Sequence, residues 1–320
     1  MVAGLYDPDL AKANTLARDF KVPATFGTLA DAAAVTPGGR RPLFDVAVPA
    51  EAMPAVLAAL PKGADVLLQK PFGADLAGAR RLLRMCQRRK FCAAVNFQLR
   101  FAPAVARARQ LIAAGAIGQL SDLEVRVTTF MPWRLWRFLA TAPRVEIVYH
   151  SIHYIDLIRS FAGEPRGVHA LTLPDPLSPG LASTRSAILL DYGAALRATV
   201  TTNHSHDFGS RHQESYIKWE GSQGAIKVGL GLLLDYPRGK PDTLELCVLP
   251  QRGQPRWRTL PTGGNWFPDA FIGTMGGLMR LAAGRRAPNL STAADAFKTM
   301  AVVEAAYRSS AHGATPIPTS

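Results

Sequence analysis

The sequence predicts an α/β protein of two domains, and three observations carry that expectation. At 320 residues the chain exceeds the usual size of a single core. Up to Phe97, short apolar runs alternate with helix-length amphipathic stretches, the pattern of parallel βαβ units. Beyond Phe101, strand-like runs follow one another with only turns between them, which predicts a large, mostly antiparallel open sheet flanked by helices. The domains are expected over residues 1–98 and 99–320.

In chain order, Val2–Tyr6 reads as a short strand closing on Asp7. Pro8 suits a first helical turn, and Leu10, Ala13, Leu16, Ala17 and Phe20 recur at helical spacing. Leu43–Pro49, Ala64–Gln69 and Phe91–Phe97 read as three further strands, with helices over 50–60 and 75–89 between them. Pro103–Ala114 reads as a helix closed by Gly115, and Ser121–Phe130 alternates Leu123, Val125 and Val127 as a half-buried strand does. A helix over 146–162 stops at Gly163-Glu164-Pro165. Several strands are expected between Gly167 and Leu260, and two helices, near 268–283 and 291–312, close the chain.

Hydrophobic content of 48% against 19% charged residues is that of a soluble protein with a large core. No apolar run reaches the length of a membrane span, and no signal-peptide pattern opens the chain. Cys86, Cys92 and Cys247 have no metal or disulfide spacing, which fits a reducing cytoplasm. The net charge of +13 raises the question of nucleic acid, but no helix-turn-helix, zinc finger or aromatic-basic motif accompanies it. Nucleic acid and membrane are therefore not expected as partners, and the charge reflects an arginine-rich composition that attracts anionic ligands.

The candidate chemistry starts at Val66–Gly73, where an apolar run ends in Lys70, locked against Pro71. A lysine at the end of a strand sits where open α/β sheets bind ligands, and partial burial makes its amine a tunable acid. Asp7, at the tip of its strand, is the acid that would bond an adenosine ribose in a dinucleotide-binding domain. The G-x-G-x-x-G that normally precedes it by about twenty residues does not occur, so an N-terminally truncated domain with weak NAD binding is expected. Tyr149, His150, His153 and Asp156 cluster on a helix, where His153 suits a general base acting on an alcohol. A core histidine bonded to a carbonyl stays open as its other role. Asn96 to Phe101 puts polar groups just past a strand end. His204 and His206 share a strand face and, without further ligands at firm spacing, read as pocket lining, with no metal expected. Trp133–Arg137 and Asn265–Asp269 are aromatic-polar loops of the kind that stack on sugar rings.

Taken together, Gln69-Lys70-Pro71, the Asn-x-x-x-Arg-Phe of 96–101, the His-x-x-Asp of 153–156 with Gly163-Glu164-Pro165, Pro-Asp-Ala-Phe at 268–271 and Ala-Ala-Asp-Ala-Phe-Lys-Thr-Met at 293–300 resemble the Gfo/Idh/MocA oxidoreductases. The resemblance implies a nicotinamide-binding Rossmann domain joined to an α/β substrate and oligomerisation domain. It implies Lys70 as the catalytic lysine before an often-cis proline, with Gln69 replacing the family's glutamate. Asp7, Pro49, Gln69, Lys70 and Asn96 would bind the cofactor, NAD being favoured over NADP because Asp7 repels a 2′-phosphate. His153 matches the family's histidine, and Tyr149 stands where that family commonly has aspartate, leaving Tyr149 or His150 as substitutes. Lys70, Arg100, Trp133, Tyr149, His150, His153 and Asp269 would bind the substrate. The expected activity is hydride transfer at a hydroxyl-bearing carbon of a sugar, cyclitol or related polyol, in a homo-oligomer, a dimer or larger. The rival is a catalytically silent relic or binding subunit without the cofactor loop.

Overall fold

The structure is a computed structural model describing residues 2–39 and 41–317. It forms two compact units, Met1–Asn96 with Gly277–Phe297, and Phe97–Gly276 with Lys298–Ser320. The return of 277–297 to the first unit is what a single division after residue 98 leaves out.

The first unit holds α1 (Leu10–Asp19), α2 (Leu29–Ala34), β1 (Leu43–Val46), α3 (Met53–Ala59), β2 (Asp65–Leu68), α4 (Leu76–Arg88) and β3 (Cys92–Val95). The strands form a parallel sheet in the order β1-β2-β3. The central β2 is buried along its whole length, as its unbroken apolar run requires of a parallel strand covered on both faces. Asp9 and Asp75 cap α1 and α4, accepting the N–H groups of Lys12 and Gly78 at 3.1 and 2.6 Å. The expected strand at Val2–Tyr6 is reduced to one parallel bridge between Leu5 and Thr25. Leu5 donates to the Ala24 carbonyl and accepts from Phe26. Beyond the bridge the chain enters the Asp7-Pro8 turn two residues on, where Pro8 has no N–H to continue a ladder.

Between β2 and α4 the chain folds back sharply. Lys70–Pro71 is a cis peptide, Phe72 is fully buried and Gly73 has φ +94°. A Cβ on Gly73 would lie 2.6 Å from the Ala79 nitrogen, so only glycine lets this loop lie against α4. This packing fixes the stem from which the half-buried Lys70 projects.

The second unit starts with α5 (Pro103–Ala113) and β4 (Leu120–Thr128). A π-helical turn, Ile147–Ser151, leads into α6 (Ile152–Ala162). Then follow β5 (Gly167–Leu173), β6 (Arg185–Asp191), β7 (Arg197–Asn203), β8 (Glu214–Gly221), β9 (Gly224–Gly229), β10 (Thr243–Val248) and β11 (Trp257–Leu260), with α7 (Ala270–Ala282) and α8 (Ala293–His312) closing the chain. One sheet runs β11-β10-β9-β8-β4-β7-β6-β5, antiparallel throughout except for β4 beside β7. Leu123, Val125 and Val127 alternate inward from β4 and are fully buried. Trp219 pairs with Leu123 in register and stacks at 5.1 Å on Phe161 of α6, so that helix covers one face of the sheet. On the other face Leu171, Leu173 and Leu189 are exposed. The expected α-helix over 146–162 is interrupted at its start. The Ile152 N–H bonds the Ile147 carbonyl, five residues back, so regular α spacing applies only from Ile152 onward.

The stop signal after α6 is anchored by Arg159, which donates to both oxygens of Glu164 at 2.9 and 2.6 Å. These hydrogen bonds hold the Glu164 carboxyl below its ordinary pKa. A depressed carboxylate pKa adds stability that is present above its unfolded value and lost as pH falls through the lower folded one. Glu164→Gln is therefore expected to lower the melting temperature at neutral pH and to flatten its decline below about pH 4; thermal melts across that range check it.

Candidate active site

The carboxyl edge of the parallel sheet gathers the first set of residues. Gln69 directly follows β2 and Asn96 directly follows β3. Asn96 donates from Nδ2 to Gln69 Oε1 at 3.2 Å, and Gln69 Nε2 reaches Asp45 Oδ1 at 3.4 Å. Lys70 therefore rises from an edge laced by side chains. Pro49 is exposed in the loop after β1, where its carbonyl accepts from Ala52. Asp7 is half-buried and accepts the Asp9 N–H at 2.8 Å, bracing the start of α1.

In the second unit His153 sits on the first turn of α6, 7% exposed. Its ring meets Phe97 and Trp266 edge-on, at 6.3 and 5.9 Å. Trp266 is held by the loop around it. Its N–H donates to Asp242 Oδ2 at 2.6 Å, Asp242 Oδ1 accepts from Gly231, and Asn265 Oδ1 accepts from the Asp242 N–H. Burial raises the Asp242 pKa, and the two N–H groups oppose that rise. Asp269 accepts the Asn265 N–H at 2.8 Å and so shapes this loop.

Arg100 holds a carboxylate of the same unit. Its Nε and Nη2 both donate to Asp156, at 2.6 Å each, and both residues are buried. Thr299 donates to Asp156 Oδ1 at 2.9 Å and accepts from Arg159 at 2.5 Å. A guanidinium that holds a buried carboxylate through two donors is a structural clamp. Asp156 accordingly faces this clamp, although helical spacing had grouped it with His153.

Tyr149 lies in the π-helical turn and packs edge-on against Phe138 at 5.6 Å. His150, its neighbour, meets the half-buried Trp133 at 4.9 Å and stacks at 4.5 Å on His204. His204 is fully buried just past β7 and outside any strand, while His206 is half-buried against Phe208, so the two histidines share no strand face. Behind them lies Glu146, also fully buried. Its Oε2 is 2.8 Å from His204 Nδ1, and its Oε1 accepts from Ser151 and Thr202 at 2.9 Å each. Glu146 and the Asp242–Trp266 loop were missed by sequence reasoning. A lone glutamate inside the apolar run Val145–Val148 was the available signal for the first; for the second, the aromatic-polar run Asn265–Asp269 marked the loop but not its anchor Asp242, which lies 24 residues before Trp266.

A parallel sheet with a lysine and amides at its carboxyl edge is the arrangement at which open α/β sheets bind nucleotides. Residues 1–97 match the family profile described as the oxidoreductase family, NAD-binding Rossmann fold, and residues 105–227 match the Gfo/Idh/MocA C-terminal domain. The chain belongs to the Gfo/Idh/MocA oxidoreductase family. It is 25% identical to the D-apiose dehydrogenase of Rhizobium rhizogenes over 98% of this chain and 89% of that protein. Its fold matches an Agrobacterium radiobacter oxidoreductase solved with NAD+, L-tartaric acid and magnesium, at 22% identity and TM-score 0.77 over 98% and 89% of the two chains. It also matches levoglucosan dehydrogenase solved with NADH and levoglucosan, at 18% identity and TM-score 0.78 over 97% and 89%. Among the described residues no helix is long and apolar enough to cross a membrane.

The residues fit a nicotinamide cofactor. Asn96 Oδ1 is buried and has no hydrogen-bond partner among the described residues, an acceptor suited to a carboxamide N–H. Lys70 stands at the same strand edge. In the second unit, the clamp predicts that Asp156→Asn costs about 3–5 kcal/mol, because it leaves the buried Arg100 charge uncompensated; chemical denaturation followed by circular dichroism measures it.

Proposed function

We propose that this chain transfers a hydride between nicotinamide and a hydroxyl-bearing carbon of a sugar, cyclitol or related polyol. The observation that carries this reading is the half-buried Lys70 at the carboxyl edge of a sheet matching an NAD-binding family. Sugar dehydrogenases among its relatives support the substrate class. Bound nicotinamide supplies the hydride acceptor or donor. Lys70 donates to the substrate oxygen and stabilises negative charge developing on it. His153, its ring steadied by Phe97 and Trp266, takes or returns the hydroxyl proton. Tyr149, His150 and Trp133 contact the remaining hydroxyls. Asp7 opposes a 2′-phosphate and favours NAD over NADP.

Residues 1–98 serve the cofactor in this reading, and 99–320 serve substrate and oligomer contacts. The exposed leucines on β5 and β6 support burial of that sheet face in a homodimer, and the three thiols without disulfide bonds support a cytoplasmic setting.

The test is NADH formation with NAD+ and a panel of sugars and cyclitols. Lys70→Met and His153→Asn are each expected to lower kcat by at least about 10²-fold. The double variant is expected to be little worse than either, since groups acting on one oxygen are non-additive. Additive losses argue against a shared oxygen, and unchanged kcat overturns the assignment. Leu189→Asp is expected to shift the chain toward monomer in light scattering coupled to size exclusion.

A further inference from the structure

We propose that Glu146, His150 and His204 form a binding site for one divalent transition-metal ion of the zinc class. Each residue offers a ligand atom, and the three atoms lie within 4.8 Å of one another. Two imidazoles and one carboxylate are a ligand set that zinc takes with one position left for water. Donors about 2.0–2.2 Å from a tetrahedral ion lie roughly 3–3.6 Å apart, so atoms up to 4.8 Å apart close by at most about 1.2–1.8 Å on binding. Glu146 and His150 are four residues apart on one helical segment, the spacing that places two ligands on one face. The third ligand comes from beyond β7, so the ion would tie the π-helical turn to the sheet.

The surroundings are built as a metal site's are. Ser151 and Thr202 hold one oxygen of Glu146 by hydrogen bonds, and Ser186 bonds both hydroxyls, at 3.1 and 2.8 Å. Such outer contacts orient a ligating carboxylate. A second observation points to an occupant. His204 Nε2 and Trp133 Nε1 are both buried and have no hydrogen-bond partner among the described residues. Trp133 meets both histidine rings edge-on, at 4.9 and 6.2 Å. Its indole N–H is thus a donor at hand for an oxygen carried by the ion. His150 is the half-buried member and gives the cluster its opening toward solvent. The site does not rest on the hydride transfer proposed above, although it draws on His150 and Trp133, which that reading turns toward substrate.

The test uses the full chain stripped with a chelator, titrated calorimetrically with Zn2+, and separately loaded with Co2+. The expected result is one Zn2+ per chain and visible d–d absorption of Co2+ with the intensity of a tetrahedral site. His150→Ala, at a half-buried position, is expected to weaken Zn2+ binding at least tenfold, with Glu146→Gln weaker to a similar degree. Zn2+ is expected to raise the melting temperature of the parent chain and not that of His150→Ala. X-ray absorption of the zinc form, which needs no variant, is expected to count two imidazoles. Absence of binding at micromolar Zn2+, equal affinity in His150→Ala, or loss of binding in His206→Ala with His150→Ala unaffected would each overturn the site.

Discussion

The second unit is organised around a buried ion pair whose charges cannot reach water. Arg100 and Asp156 meet through two hydrogen bonds of 2.6 Å, and Thr299 supplies a third donor to the same carboxylate. A buried charge is tolerated only when its partners are complete, so three chain segments distant in sequence are held to one geometry. Arg159 extends the clamp from Thr299 to Glu164 and so to the end of α6. His153 lies one turn before Asp156 on that helix. The orientation of the candidate base therefore follows from this buried pair.

The parallel sheet solves a different polar problem at its carboxyl edge. An amide at position 69 accepts from Asn96 and donates toward Asp45. A carboxylate there, as the family commonly has, could accept from Asn96 but would face Asp45 as a like charge. The departure at Gln69 is thus matched to its neighbours, and it leaves Lys70 as the charged group that this stretch presents next to the strand end.

The Glu146 network shows how far polar demand is met inside the fold. Three protein groups satisfy the carboxylate, yet the imidazole bonded to it keeps a buried nitrogen without a partner. Buried polar groups are ordinarily paired, and an imidazole that is oriented on one side and open on the other is the arrangement of a ligand. The π-helical turn lies between Glu146 and Ser151, where such turns often accompany functional positions.

Much of this was legible in the chain itself, because local pattern follows local physics. Alternation of apolar runs with amphipathic stretches determined the parallel units up to Phe97. Period-two burial along 121–128, and the Gly163-Glu164-Pro165 stop, determined the first strand of the large sheet and the end of its covering helix. The Gln69-Lys70-Pro71 stretch marked the strand edge. Three things were decided only in three dimensions. Val2–Tyr6 was reduced to a single bridge, because a strand depends on the partner it finds elsewhere in the chain. The partners of Arg100 and Asp269 were decided there too, because which carboxylate or N–H a polar side chain meets is set by contacts between residues up to 143 positions apart in the chain, as Asp156 and Thr299 are. Glu146 and His204 came together because β7 returns beside β4, and no spacing rule links residues 58 apart whose meeting depends on sheet order.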